Sequence, residues 1–354
     1  MHRFRSHLFL SALLCGVFLG ACSADTTNDP SVSAFRETAA VGSGDDAADD
    51  PAIWIDRDNP SQSRIVGTDK QGGLYVYDLQ GRELQFVPAG LVNNVDLREG
   101  FAFPGGAAPI VVASDRDDQT IAIFRFDPAL RQLDPTQIAA IPSGFAEVYG
   151  VCLFRAPEGT VHLIATSALG GVKQWRLDQV ADAIVATQVR SFELGSIAEG
   201  CVGDDAAGTL YIAEENVGIW RLAADPALGD NRVLLDSTDG GRLTADVEGL
   251  ALYDGANGTG YLIASSQGSS QFAVYERRED NAYIGKFSVG AGNGIDAVTG
   301  TDGIEVTSAT LGPDWPSGML IVQDDENTDP SEPQNFKLVP WNTVADAIAT
   351  MRKQ

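Results

Sequence analysis

Histidine is nearly missing from this chain. Its 354 residues hold three, and His2 and His7 sit at the very start, leaving His162 alone in the body of the sequence. A single histidine inside the apolar run Val161-His162-Leu163 reads as structural. It leaves no material for a Ser-His-Asp triad or a histidine-built zinc cluster unless His162 itself serves. Cysteine is scarce too, four in all. Position 158, six after Cys152, is Glu, so no Cys-x5-Arg phosphatase loop exists there. Positive charge is short: 24 Lys and Arg face 49 Asp and Glu, a net charge of −25. That balance argues against nucleic acid or an anionic lipid surface as a partner. No apolar run is long enough to cross a membrane as an ordinary helix. With side-chain nucleophiles so poorly supplied, water activated by a metal ion is the surviving hydrolytic route.

The N-terminus has its own character. A basic start (His2, Arg3, Arg5, His7) precedes the apolar run Leu8 to Phe18, which ends in Leu19-Gly20-Ala21-Cys22. Small residues before a cysteine resemble a bacterial lipobox, so residues 1–21 are expected to be a signal peptide and Cys22 the lipidated new terminus. Ser23, with no Asp after Cys22, favours the outer membrane of a Gram-negative bacterium by the same resemblance; a periplasmic or secreted protein is the alternative. Acyl chains would be the only membrane contact. Loss of residues 1–21 removes Arg3 and Arg5 and no acid, taking the charge to −27. Residues 22–33 read as a flexible tether and 34–354 as one folded domain. Cys152 and Cys201 stand at equivalent places in neighbouring repeats, and both a disulfide and two buried thiols remain open.

The body of the chain repeats six times. A β-type run ending in polar residues recurs as Ile65 to Asp69, Val111 to Asp115, Leu163 to Ser167, Tyr211 to Glu215, Leu262 to Ser266 and Leu320 to Asp324. Before each comes an acidic or polar cluster entering an apolar run, marked by Asp50, Asp96, Tyr149, Glu199, Glu248 and Asp302 at steps of 46, 53, 50, 49 and 54 residues. After each comes an alternating strand such as Leu74-Tyr75-Val76-Tyr77. Units of about 50 residues with four strands predict an all-β, six-bladed β-propeller with four-stranded blades. The last unit lacks its fourth strand, and residues 34–41 are expected to fill that place from the N-terminal side, protecting the open edge.

Strands in a blade run antiparallel from the channel outward, so the entry to the first strand and the exit from the second share one face. That puts Asp49, Asp50, Asp69, Asp96, Asp115, Glu147, Glu199, Glu214, Glu215, Asp246, Glu248, Asp302, Asp324 and Asp325 at one rim. So many carboxylates need counter-charge to stay ionised. Hard oxygen ligands with few nitrogens point to Ca²⁺ ahead of Mg²⁺ or Mn²⁺. Lys70 and Arg116 on the same rim suit a phosphate group, unless they merely pair with their acidic neighbours.

The segments Asp-Asp-Pro-Ala-Ile-Trp (49–54), Thr-Asp-Lys-Gln-Gly-Gly-Leu (68–74), Leu-Val-Asn-Asn-Val-Asp (91–96), Glu-Val-Tyr-Gly (147–150), Leu-Tyr-Ile-Ala-Glu-Glu (210–215), Asp-Val-Glu-Gly-Leu (246–250), Thr-Asp-Gly-Ile (301–304) and Gln-Asn-Phe-Lys-Leu-Val-Pro-Trp (334–341) closely resemble the β-propeller, or alkaline, phytases. The resemblance implies Ca²⁺-dependent hydrolysis of phytate, myo-inositol hexakisphosphate, to lower inositol phosphates by metal-activated water, with no covalent phosphoenzyme. It implies that Asp49, Asp50, Glu199, Glu215, Asp246, Glu248 and Asp302 hold calcium, that Tyr149 joins calcium or phosphate binding, and that Lys70 and Arg116 grip phosphate. Glu199, Asp246, Glu248, Asp302 and Tyr149 would form the catalytic group. One departure stands out: a further phosphate-binding lysine of the family is replaced by the stretch around Ala168, and Lys173 lies several residues on. The competing readings are another Ca²⁺-dependent propeller hydrolase, a lactonase or other phosphoesterase, and a non-catalytic surface interaction propeller. Monomer is the expected state.

Overall fold

The computed structural model describes residues 29–328 and 330–353. Six antiparallel sheets follow one another along the chain, and each is one blade. The innermost strands are Ala48–Trp54, Val92–Phe103, Val148–Arg155, Ala198–Asp204, Val247–Asp254 and Ile304–Thr307. Second strands are Arg64–Asp69, Gly106–Asp115, Val161–Ser167, Thr209–Glu214, Gly260–Ser266 and Met319–Asp324. These second strands are buried almost end to end, Val161–Ser167 at every residue. The outer strand Ala183–Glu193 instead alternates exposed and covered positions.

Alternation along the second strands explains how the ring closes. Val66 faces the wedge between blades 1 and 2, while Ile65 faces blade 6. Val111 and Ala113 look back to blade 1, and Ile110 and Val112 look on to blade 3. Ile164 and Ile212 meet between blades 3 and 4, and Tyr211 and Ala213 meet blade 5. Six apolar clusters therefore fill six inter-blade wedges. Both faces of each middle strand are covered, which is why those runs read as nearly continuous apolar sequence.

The sixth blade closes as expected. Arg36–Glu37 pairs antiparallel with Asn335–Pro340, Arg36 opposite Leu338. Backbone bonds from Phe35, Thr38 and Val41 to the carbonyls of Leu338, Phe336 and Gln334 extend that ladder. The tether is shorter than expected. Ser31–Ser33 forms a fifth strand on blade 5, parallel to Tyr283–Gly290. Its Val32 is buried in the wedge between blades 5 and 6, which holds it in place. The helix Trp341–Met351 packs into the same wedge, with Trp341 stacked 3.7 Å from Tyr253. Cys152 and Cys201 are joined as a disulfide between the innermost strands of blades 3 and 4. Residues 1–21 and Cys22 lie outside the described residues.

Candidate metal centre at the channel mouth

A repeated irregularity builds the site. In five blades the ladder between the first two strands slips at its start: between Ala48 and Pro51, Val92 and Val95, Val148 and Val151, Ala198 and Cys201, and Val247 and Leu250. Such bulges re-aim side chains at the rim of closed sheets. They place Asp49, Asn93, Tyr149, Glu199 and Glu248 at equivalent positions. Asp302 takes the sixth place, since Gly303 bonds to the Asp49 carbonyl at 3.0 Å much as Gly249 bonds to that of Asp302 at 2.9 Å. This circle corrects the repeat markers Asp50 and Asp96, which belong one and three residues earlier.

The second bulge residue is glycine in four blades because the blades nearly touch there. A Cβ on Gly150 would stand 1.9 Å from the Glu199 carbonyl oxygen, and one on Gly200 2.1 Å from that of Glu248. Hydroxyl struts tie the same points together. Thr166 accepts from Gly150 N–H at 3.0 Å and donates to the Glu199 carbonyl at 3.2 Å. Ser114 repeats this between Asn94 and the Tyr149 carbonyl.

An outer circle comes from the residue after each second strand: Lys70, Arg116, Ala168, Glu215, Gln267 and Asp325. Each bonds through its N–H to the segment entering its own blade, at Ala47, Leu91, Glu147, Ile197, Asp246 and Thr299. Glu215 thus occupies the place of Lys70, one position beyond the register in which the Tyr211 to Glu215 run was first aligned. Blade 3 contributes uncharged Ala168. Lys173 is spent elsewhere, bonding the Ser143 and Gly144 carbonyls at 2.8 Å each.

The two circles enclose a cavity of about 390 Å³ at the mouth, lined by Asp46, Lys70, Tyr149, Glu199, Glu215, Asp246, Glu248, Gln267, Asp302 and Asp325 among others. One oxygen each from Glu199, Glu215 and Glu248 lies within 4.8 Å of the others. Oxygens about 2.3–2.6 Å from a common calcium ion fall within that spacing. Lys70 Nζ sits 2.5 Å from Asp46, 2.9 Å from Asp302 and 3.3 Å from Asp49. Gln267 donates to the second Asp302 oxygen at 2.5 Å, and Asn93 Nδ2 to Glu199 Oε1 at 2.7 Å. Asp49 Oδ1 and Glu248 Oε2 are buried with no hydrogen-bond partner among the described residues.

Lys70 compensates only part of the charge here. Burial, then Asp302, pushes Glu199 up to about 8. Burial, then Asp246, pushes Glu215 up to about 7. Burial and then Glu199 raise both Asp49 and Glu248 well above the usual carboxylate range, with Lys70 pulling Asp49 partly back. Asp302 is raised by burial against the pull of Lys70. The Glu199 charge, followed by burial, holds the Tyr149 phenol protonated far above its ordinary range. Carboxyl groups crowded and buried in this way are candidates for a functional site.

The wider set of rim acids divides. Asp50 belongs to the channel below the mouth, a space of about 250 Å³ it shares with Asp96 and Glu305. There Asp50 accepts from Val95 N–H at 3.1 Å and Asp96 pairs with Arg98 at 2.8 Å. Asp69 and Asp115 close turns on Gln71 and Asp117. Glu214 accepts from Trp220 Nε1 at 2.7 Å, and Asp324 lies 3.2 Å from Lys337 Nζ. Glu147 is exposed. Of the two phosphate candidates, Lys70 is triply paired, while Arg116 has no ion pair among the described residues. Asn93, Asp46 and Gln267 were not singled out from sequence. Their only signal is position in the repeat, which a search for acids and bases passes over.

A family model described as phytase matches residues 6–353. The 3-phytase of Bacillus subtilis (strain 168) is 41% identical over 330 residues, spanning 90% of this chain and 86% of that protein. Among solved structures, regucalcin, a calcium-binding protein from Agrobacterium tumefaciens str. C58, aligns with a TM-score of 0.54 at 14% identity. That alignment covers 87% of this chain and 95% of the other. At that identity the likeness speaks for the fold alone.

Proposed function

The chain belongs to the phytase family, and from that premise we propose that the mouth of its channel hydrolyses phytate with Ca²⁺ held by carboxylates from separate blades. The enzyme is a phosphoric monoester hydrolase of the 3-phytase kind, releasing inorganic phosphate and lower inositol phosphates. The observation that carries the calcium reading is the nest of Glu199, Glu215 and Glu248, buried and drawn together without a cation of their own. Asp49, Asp246 and Asp302 would complete the ligand set around it, and Asp50 would serve a cation in the channel. Bound calcium supplies Lewis-acid charge to phosphoryl oxygens and lowers the pKa of water.

The chain's own groups then take defined parts. Lys70 is paired with Asp46, Asp49 and Asp302. Were Asp49 and Asp302 to hold calcium, its ammonium would be free to face a phosphate oxygen. Arg116, already unpaired, offers a fork to the same or the neighbouring phosphate. Tyr149 keeps its proton and can donate its O–H to the substrate. With Ala168 between them and the next charged position, blade 3 gives no cation, and the subsite there is the weaker one. Phosphate release from phytate, followed across calcium concentrations and after chelation, tests this reading. Release that persists in chelator would overturn it. A lactonase or a binding-only propeller predicts no release at all.

We also propose export and acylation at Cys22, with the enzyme tethered to the outer membrane as a monomer. The short apolar run and the small residues before Cys22 support this. The seven residue-to-residue steps from Cys22 to Asp29 reach at most about 25 Å, so the propeller would ride close to the membrane. Cys22→Ser should abolish incorporation of labelled fatty acid, and labelling that continues in the variant removes the anchor.

A further inference from the structure

Five places in the inner circle carry a residue assigned above to calcium or phosphate, and the sixth, from blade 2, carries Asn93. We infer that Asn93 is a positioning residue for the calcium nest, acting through Glu199. The inference rests on the calcium reading of the mouth and adds to it a residue outside the carboxylate set.

Three observations carry it. Asn93 is fully buried, and its Nδ2 donates to Glu199 Oε1 at 2.7 Å. Its own Oδ1 is buried with no partner among the described residues. An amide placed for packing or stability would not strand its acceptor in this way. Lastly, the bond joins blades that are not neighbours. Asn93 belongs to blade 2 and Glu199 to blade 4, so it passes over blade 3 at the channel axis. The neighbouring Asn94 holds the donor in place: its Oδ1 accepts from the same Asn93 Nδ2 at 3.0 Å.

Glu199 stands among Glu215, Glu248 and Asp302, all of its own sign. Left alone, its carboxylate would rotate away from them. A neutral donor fixes the carboxylate plane without adding a charge that calcium must compete with. An acid at position 93 would add one more repulsion, and a lysine would occupy the nest. Hydrogen-bond partners of metal ligands set affinity in this manner, and their loss costs roughly 10–100-fold in metal binding.

The test is calcium titration by calorimetry of the full chain and of Asn93→Leu, which keeps the volume and removes the donor, with Asn93→Ala beside it. The expected result is a dissociation constant raised about 10-fold or more in both variants. The calcium needed for half-maximal phosphate release should rise by the same factor. In a Glu199→Ala background, Asn93→Leu should add nothing further, since the group that Asn93 positions is already gone. Calcium binding unchanged in Asn93→Leu, or losses that add fully in the double variant, would overturn the assignment. If the unsubstituted chain binds no calcium, it is the calcium reading itself that fails.

Discussion

The two faces of the propeller treat buried carboxylates in opposite ways. On the face away from the mouth, Asp204 is buried at the end of its strand, yet Arg277 meets its two oxygens at 2.6 Å each. The N–H groups of Ala206 and Ala207 add two more bonds. Burial alone would push Asp204 up, but these partners hold it below its ordinary range. Asp56, bonded by Arg131 and two turn N–H groups, is held down likewise. At the mouth, Glu199, Glu215 and Glu248 are as little exposed, and burial followed by neighbouring carboxylates pushes them up. Low exposure is common to both faces and is not by itself the difference. Counter-charge is: one face pairs its acids with arginine, and the other crowds acids together with Lys70 as their near cation.

Chelation should exploit that difference most strongly. Phosphate release should fall to background, and the melting temperature should drop, because an ion bound only by the folded state stabilises it by about 2.7 kcal/mol per site at 100 times its dissociation constant. An unchanged melting temperature would erase the contrast between the faces. Next comes Glu199→Gln, expected to lower release at least about 100-fold, on the scale of lost metal-site interactions. In chelator above about pH 8, where Glu199 is ionised in the folded chain, the same variant should melt higher than the parent, since it removes a charge crowded by others of its own sign. A lower melting point in chelator would mean that Glu199 is already compensated.

Arg277→Ala probes the other face. It leaves Asp204 buried and unpaired, and breaking such a pair costs about 3–5 kcal/mol. Release by the folded fraction at saturating calcium should be retained. A loss of activity beyond the loss of folded protein would show that the faces are coupled. Replacing Cys152 and Cys201 together by Ser should cost about 2–4 kcal/mol, as removal of a native disulfide typically does. Denaturant unfolding measures both.

The six blades, the N-terminal closure and most of the mouth were legible in the sequence, because acidic clusters recur in step with apolar runs. What escaped was the place of the bulge. Asp50 and Asp96 carry charge and drew attention as repeat markers, yet the circle passes through Asp49 and Asn93. Neutral Asn93 is invisible to a search for acids, and only the ladder slip between Val92 and Val95 reveals its place. The same slip reverses which face each later residue takes. Alternation in the sequence could not tell whether Cys152 and Cys201 turn toward one wedge or two; in the structure both join the cluster between blades 3 and 4. The tether's end was missed because Ser31-Val32-Ser33 is too short to read as a strand without the edge of blade 5 beside it.

The finest test of the contrast is pH. Glu199 and Glu305 titrate near 8 in the folded chain and Glu215 near 7, all above the 4.5 of a free glutamate. Between 4.5 and 8 the native state therefore holds protons that the unfolded chain has released. Stability falls with rising pH wherever the native state binds more protons. In chelator the melting temperature should fall steadily across that window and level off above it. Calcium reverses the demand, because its ligands must be deprotonated and its binding strengthens as pH rises. The two melting curves should thus diverge toward alkaline pH and converge toward pH 5. Asp204 and Asp56, already held low, contribute nothing to this window. Parallel curves, or a chelated protein that gains stability as pH rises, would show that the mouth is balanced from within and needs no ion.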